Sequence, residues 1–475
     1  MREILAWIWL SEARFGPVSC ALEQVQRQRF APGSGPGRQK KEEDIGVEFG
    51  KKYQGRTYNF KPAVLVHFGF AADNLQSALK TVVQNKGAAG VDGQKAEHYL
   101  RESPQRLEQL QDMLKKGQYT PQPVKRVWIP KLGSKELRPL GVPAVEDRVV
   151  QTAVRNVMEP IFENIFAEHS YGFRPRRGAK DALRRVDHLL NTGRPWVVDA
   201  DLKGYFDSIP RDKMIAAVAE HIADRPLLEL IQKFLKQGVM ESGKGWQPTE
   251  KGTPQGAVIS PLLANIYLNP LDHLMAQGGQ EMVRYADDFV ILCASEKEAQ
   301  EVLAQLRQWV AGAGLTLHPA KTRIVNANER GGFDFLGYHF ERGHRWPRSK
   351  SLEKFRETLR QKTGRLRPGS MEDIIAEVNR TLRGWFEYFK HSVNNVFAKE
   401  DKWVRGRLRA ILRKRHKGQG RARGLDHQRW PNAYFAELGL FSLAIARAQA
   451  IQSRKRTTDW KAGCPKWACP VWREG

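Results

Sequence analysis

The sequence predicts an α+β body followed by a purely helical region, and three observations point there. Short apolar runs with strand character, "MVRY" and "FVILCA", flank the adjacent acids Asp287 and Asp288. Strand-like and helix-like patterns alternate up to about residue 345, after which only helical, strongly basic patterns remain. The 475 residues carry 78 Lys and Arg against 52 acids, a net charge of +26 with a 41% apolar fraction. That suffices for two or three domains with real cores, and it points to a polyanion, nucleic acid first and an anionic membrane second.

The elements follow in order. "APGSGPGRQKKEED" (31–44) has linker composition. "DNLQSALKTVV" opens a helix with Asp73 as N-cap and Leu75, Leu79 and Val82 on one face. "NKGAAGVDG" (85–93) is a glycine-rich loop, and 99–117 is further helix. "VKRVWIPK" (124–131) and "LRPLGVP" read as strands, and "DRVVQTAVRNVMEPIFENIF" as helix. "WVVDADLKGYFDSI" (196–209) starts as a strand and ends in a turn or helix start; "LLELIQKFL" and "LLANIYLNPLDHLM" are helical. A helix with a Ser295/Glu298 capping box and a Val302, Leu306, Trp309, Val310 stripe ends at Gly312 and Gly314. "GGFDFLGYHF" (331–340) is a hairpin. Leu352, Phe355 and Leu359 then share a helix face, and Ser370 with Asp373 makes another capping box.

Cys20, Cys293, Cys464 and Cys469 form neither a disulfide framework nor a paired zinc pattern, which fits a reducing, intracellular setting. No apolar run reaches transmembrane length, so no membrane partner is expected.

Two neighbouring carboxylates between buried strands repel each other unless a cation lies between them. A surface hairpin turn is the plain alternative, since Asp suits turns. The third carboxylate lies in "VVDADLKGYFD", where Asp199, Asp201 and Asp207 compete. Asp199 and Asp201 share a strand face, and Asp201 could instead cap a helix start at Lys203. Three acids from two strand ends can hold two Mg²⁺ ions and leave room for substrate phosphates, the arrangement for nucleotidyl transfer.

"RYADDF" resembles the Tyr-x-Asp-Asp box of reverse transcriptases, and its neighbours resemble, in order, the blocks of group II intron-encoded reverse transcriptase/maturases. These are "NKGAAGVDG", "IPKLGSKELRPLGVPAVEDRVVQ" (129–151), "HSYGFRPRRGAKDA" (169–182), "DADLKGYFDSI", "GTPQGAVISPLLANIYLNPLD" (252–272), "GLTLHPAKTRI" (314–324) and "FDFLGYHF" (333–340). The resemblance implies a right-hand polymerase: fingers and palm at 73–345 with an antiparallel palm sheet, then an all-helical thumb and maturase region at 346–455. It makes Asp201, Asp287 and Asp288 the catalytic metal ligands for two Mg²⁺ ions, Asp201 being the aspartate five before the aromatic. Lys131 and Arg138 match residues that grip the triphosphate, Phe206 the steric gate, and Gln255 the residue at nucleotide and template. Lys321 is read as a general acid toward pyrophosphate. In "TPQGA", Ala257 stands where the family commonly has a second glycine, so altered efficiency is expected.

"TLRGWFEYFK" (381–390) resembles the maturase core, with Trp385, Tyr388 and Phe389 read as packing rather than RNA stacking. The run 405–424 carries nine cations and no acid. Arg405, Arg407, Arg409, Arg413, Lys414, Arg415, Lys417, Arg421 and Arg423 are therefore the expected RNA contacts. Expected partners are the group II intron RNA, an RNA template with DNA primer, dNTPs and target DNA in a bacterial cytoplasm; a homodimer is left open. Without a His-rich cluster after "RAQAIQSRKR", cleavage of the second target strand is not expected. Residues 1–72 do not resemble the family and are expected to be poorly ordered, with 456–475 a short tail. Two other readings compete: a free-standing relative in DNA repair or phage defence, and a splicing cofactor with an unused polymerase.

Overall fold

A computed structural model describes residues 69–130, 137–249, 251–253, 255–418 and 424–452. Nearly all of the expected N-terminal extension, and the 456–475 tail, lie outside the described residues.

The first elements among the described residues are α1 (Ala72–Gln84), α2 (Ala96–Arg101) and α3 (Ser103–Lys115). The predicted cap is corrected here: α1 starts two residues earlier, with Ala71 at the N-cap, no side-chain cap bond, and Asp73 inside the first turn. An acid is favourable there through the helix dipole. The strands β1 (Val124–Pro130) and β2 (Leu137–Val142) pair antiparallel. They are followed by α4 (Val145–Glu163), α5 (Ala179–Asn191), β3 (Trp196–Asp201), the single turn α6 (Tyr205–Ser208), α7 (Arg211–Ala219) and α8 (Arg225–Lys236). The short pair β4 (Val239–Glu241) and β5 (Gly245–Gln247) extends the first sheet to the order β2-β1-β4-β5.

A long buried helix, α9 (Ser260–Gln277), leads into β6 (Glu281–Tyr285) and β7 (Asp288–Cys293). After α10 (Glu296–Gly312) comes β8 (Arg323–Asn326), completing a second sheet of order β6-β7-β3-β8 whose pairs are all antiparallel. Every residue from Phe289 to Cys293 is fully buried, because helices cover both faces of this central strand. The α10 cap is close to the expected box: Ser295 Oγ accepts from the Glu298 amide at 3.2 Å, while Glu298 returns to the Ala294 amide at 2.8 Å. Val302, Leu306 and Val310 go into the core, with Trp309 packed at its edge.

The last strands, β9 (Phe333–Phe335), β10 (Tyr338–Glu341) and β11 (His344–Pro347), form a three-stranded sheet. Helices follow: α11 (Ser349–Lys362), α12 (Met371–Phe389), α13 (Asn394–Arg415), α14 (Gly424–Arg429) and α15 (Asn432–Glu437). They bury a core of their own, including Phe355, Leu359, Val378, Leu382, Leu408 and Phe435. The aromatics of "GWFEYF" pack as read. Trp385 stacks on Phe355 at 4.4 Å, and Phe389 contacts Tyr338 at 4.9 Å. Helix and sheet are joined by two reciprocal bonds. The Tyr388 hydroxyl donates to the Leu336 carbonyl at 2.7 Å, and the Tyr338 hydroxyl donates to the Tyr388 carbonyl at 2.6 Å. Leu336 is held at φ +45, in the left-handed region.

Candidate active site

Strand register decides which acid joins the pair. Asp201, the last residue of β3, stands opposite Asp288, the first of β7, and Asp288 in turn faces Tyr285 across the hairpin. Opposed residues of an antiparallel pair lie about 5 Å apart at Cα. Asp199 is two residues further back, opposite Val290, and its carboxylate accepts from Arg323 Nε at 3.3 Å. Asp207 sits in α6 and accepts from Gln255 Nε2 at 2.9 Å. The capping alternative for Asp201 fails. The next helix begins at Tyr205 behind Gly204, and the Lys203 amide bonds to Thr316 O at 2.8 Å.

The electrostatics are those of an anion cluster short of cations. Asp288 is pushed up to about 7 by its protein surroundings, then by Asp287, Asp199 and Asp201, with Arg348 opposing. Its surface is nonetheless open to solvent. The neighbouring acids add to that rise because a nearby negative charge disfavours ionisation. Asp287 is raised by burial and by Asp201, against the pull of Arg138 and Arg284. Asp201 itself accepts from Lys321 Nζ at 2.7 Å. Among the described residues, no group of three acids, histidines or cysteines is arranged to enclose a metal ion. The donors are hard carboxylate oxygens on adjacent strand ends, and Lys321 supplies a positive charge at one of them. The donor chemistry fits Mg²⁺.

The turn that presents Asp287 is built on a buried arginine. Arg284 is fully buried. Its Nε donates to both Asp272 oxygens at 2.8 and 3.1 Å, and its Nη2 to Asp272 Oδ2 at 2.5 Å. Its Nη1 donates to Asn265 Oδ1 and to the Ala286 carbonyl, both at 2.9 Å. Ala286 holds φ +60, a conformation that costs an L-residue about 1 kcal/mol or more. The segment "HSYGF" passes beneath: the Tyr171 amide bonds to Arg284 O at 2.8 Å, and the Arg284 amide to His169 O at 3.0 Å. A Cβ on Gly172 would lie 2.3 Å from the Ala286 nitrogen, so only glycine allows this approach. Asn265 Nδ2 donates to Gly172 O at 2.8 Å and closes the network.

Sequence reasoning missed Arg284, Asp272, Asn265 and Gly172 as site residues. The available signal was polar residues in apolar settings: an arginine inside "MVRY", and Asn265 and Asp272 on the largely apolar α9. Such residues are buried only with partners.

Of the residues expected at the nucleotide, those described lie on β2, in α6 and in the Pro-Gln-Gly loop. Arg138 is exposed on β2, with its charge felt at Asp287. The Gln255 carbonyl accepts from the Gly141 amide of β2 at 2.7 Å, so the Pro-Gln-Gly loop is tied to the first sheet. A Cβ on Gly256 would lie 2.6 Å from Gly141 O, whereas Ala257 is buried without such a conflict. Phe206 is half-buried, edge-on to Tyr205 at 5.5 Å between ring centres. Lys131 lies outside the described residues.

The basic run divides. Arg409 is buried; its Nε donates to Trp430 O at 2.9 Å and its Nη2 to Asn432 Oδ1 at 2.7 Å, so its reading as a phosphate contact is corrected. The cause is helical spacing, which turns one residue in every few toward the core. Arg413 pairs with Asp426 at 2.5 Å. Arg407 bonds to the Thr363 carbonyl at the end of α11, and Arg415 to the Gly369 carbonyl just before α12. Arg405 is half-buried, and Lys414 and Lys417 are exposed. Arg421 and Arg423 lie outside the described residues.

Residues 129–340 match the family described as Reverse transcriptase (RNA-dependent DNA polymerase), and 352–430 match Group II intron, maturase-specific domain. Protein YkfC of Escherichia coli (strain K12) is 35% identical over 309 residues, covering 56% of this chain and 80% of that protein. Group II intron-encoded protein LtrA of Lactococcus lactis subsp. cremoris is 41% identical over 204 residues, 42% of this chain. The matched stretch spans 33% of the LtrA length. A solved chain from a partial Cas6-RT-Cas1--Cas2 complex is 25% identical, covers 52% of this chain and 41% of that one, with a TM-score of 0.34. Among the described residues, no helix is long and apolar enough to cross a membrane. With a reverse transcriptase domain followed in order by a maturase-specific domain, the chain belongs to the group II intron reverse transcriptase/maturase family.

Proposed function

We propose that the chain is an RNA-directed DNA polymerase that copies intron RNA into DNA and binds that RNA to assist splicing and retrohoming. The observation that carries the reading is the register of Asp201 against Asp288 at the mouth of a turn that also presents Asp287, within a reverse transcriptase domain. Asp201, Asp287 and Asp288 would hold the metal. Two bound Mg²⁺ ions would supply a lowered 3′-hydroxyl pKa and charge compensation for the leaving pyrophosphate. The remaining work falls to the chain. Arg138, with Lys131, steadies the triphosphate by charge-assisted hydrogen bonds. Phe206 lies under the sugar and excludes a 2′-hydroxyl. Gln255 orients nucleotide against template, and Lys321 is poised to protonate the departing pyrophosphate. In the step itself, the primer 3′-oxygen bonds to the α-phosphorus as the bond to pyrophosphate breaks.

The same reading assigns residues 73–345 to fingers and palm and 346–455 to thumb and maturase. It places RNA contacts on the exposed cations of α13, and the protein with nucleic acid in a bacterial cytoplasm. The test is primer extension on an RNA template with Mg²⁺. Asp287→Asn abolishes it while intron splicing assistance survives. Loss of both with the fold intact overturns the division between polymerase site and RNA surface.

A further inference from the structure

The segment that passes beneath the Asp287 turn carries an aromatic ring with no role so far. Phe173 follows Gly172 and is 45% exposed. It holds φ +56, in the left-handed region where a bulky side chain is an outlier. Its neighbours on both sides are fastened. Before it, the Gly172 carbonyl accepts from Asn265 Nδ2 at 2.8 Å, and the Tyr171 amide is bonded to Arg284 O at 2.8 Å. After it, the Arg174 side chain is buried; Nη1 donates to the Ala167 and Ser170 carbonyls at 2.6 and 2.9 Å, and Nη2 pairs with Glu163 at 2.8 Å. Strain that the surroundings hold in place concentrates at functional sites. Glycine or asparagine would adopt this backbone with less strain, so folding does not explain a half-exposed phenylalanine here.

The ring lies on the face of the second sheet that carries the acids. Residues paired across an antiparallel ladder project to the same face. Asp201 pairs with Asp288 and Asp288 with Tyr285, so the tyrosine shares the face of both acids. The Phe173 ring centre is 6.5 Å from that of Tyr285, tilted by 40°. Phe173 is therefore one ring removed from the Asp288 strand end. Arg176 and Lys180, just beyond it in the chain, are exposed cations. In the polymerase reading the primer terminus sits at the acids, and the newly formed duplex leaves across this face. Successive base pairs follow at about 3.4 Å, so the ring falls within about two pairs of the terminus. A phenylalanine has no polar atom with which to read a base edge. It can only press on a groove wall, and the minor groove of an A-form duplex is wide and shallow. Minor-groove patterns are nearly alike among Watson–Crick pairs, so contact there ignores sequence and responds to the shape of the pair.

We propose that Phe173 is a positioning residue that packs against the minor groove of the last base pairs of the primer–template duplex and disfavours extension from a mispaired end. The inference rests on the polymerase reading above. The fixed φ aims the ring, and the fastening of Gly172 and Arg174 keeps it from yielding to a misshapen pair.

The test uses the full chain with a DNA primer on an RNA template. Phe173→Gly and Phe173→Asn both suit the left-handed backbone, so the thermal midpoint of each is expected within about 4 °C of wild type. Each binds the matched primer–template about fivefold to tenfold more weakly. The preference for matched over mispaired primer ends in single-turnover extension falls about tenfold, whatever the sequence of the terminal pair. Phe173→Leu keeps apolar bulk and restores most of the preference. An unchanged preference in the glycine and asparagine variants overturns the proposal, even if binding weakens. So does a midpoint lowered by more than about 10 °C in both, which marks a core residue. A binding loss seen only when the template has an unpaired overhang also overturns it, because the ring then stacks on a single-stranded base. A wild-type chain that extends no matched primer overturns the polymerase reading itself and this role with it.

Discussion

Replacing Arg284 by methionine tests how the turn that presents Asp287 is held. The substitution keeps apolar bulk in a fully buried position and removes the cation facing Asp272, itself only 6% exposed. It leaves the Asp272 carboxylate without three close donor contacts, and strips the Ala286 carbonyl and Asn265 Oδ1 of one donor each. Breaking a buried ion pair from one side costs about 3–5 kcal/mol, mostly from the stranded charge. Adding Asp272→Leu removes that charge, so the double variant recovers most of the loss. It does not recover the bond to Ala286, whose φ of +60 then has no anchor at its carbonyl. Urea unfolding followed by circular dichroism reads stability, and single-turnover primer extension reads the turn. Expected are a single variant about 3–5 kcal/mol less stable, and a double variant near wild-type stability with extension at least tenfold slower. A single variant within about 1 kcal/mol of wild type, or a double variant with full turnover, refutes the positioning role.

Gly172→Ala drives a methyl against the Ala286 nitrogen and displaces the turn, so single-turnover extension drops by about a hundredfold while affinity for an RNA hairpin holds; unchanged extension contradicts the close approach. Lys321→Met frees the Asp201 carboxylate from its 2.7 Å partner, and the Mg²⁺ concentration for half-maximal extension is expected to fall; an unmoved midpoint shows that the ion pair does not compete with the metal. Asp147 is pushed up to about 7 by burial, against the Tyr119 hydroxyl at 2.5 Å and the Gln122 amide at 3.1 Å. Unfolded, it titrates near the ordinary ~4. Between those values the native chain keeps a proton that the unfolded chain has lost. Its contribution is complete below about 4 and disappears as pH rises through about 7, with a slope of at most ~1.4 kcal/mol per unit. Asp147→Asn flattens this slope in urea melts between pH 5 and 8; a parallel pH profile rules the assignment out.

What was legible in the sequence was what is local. Asp287 and Asp288 are neighbours between two apolar strands, and their repulsion needs no tertiary knowledge. Choosing Asp201 over Asp199 needed the β3–β7 register, which the family pattern supplied and residue chemistry alone did not. The Arg284–Asp272 pair was illegible because it joins a strand to a helix whose rotation no periodicity fixes, α9 being apolar nearly all round. Asp73 was read as a cap because capping and first-turn acids share the same residue types, and only backbone geometry separates them. The basic run was read by composition. Composition cannot show that Arg409 faces inward onto Trp430 while Lys414 faces water.

The paired hydroxyl bonds of Tyr338 and Tyr388 carry an evolutionary corollary. Each hydroxyl satisfies a carbonyl on the far side of the seam, so neither half can be exchanged alone without orphaning the other. A chimera that grafts a relative's helical half onto this polymerase half must bring its own 333–341 hairpin along, or it inherits a loosened joint. The unit of recombination in this lineage is therefore expected to end before Phe333, not at the start of the helices.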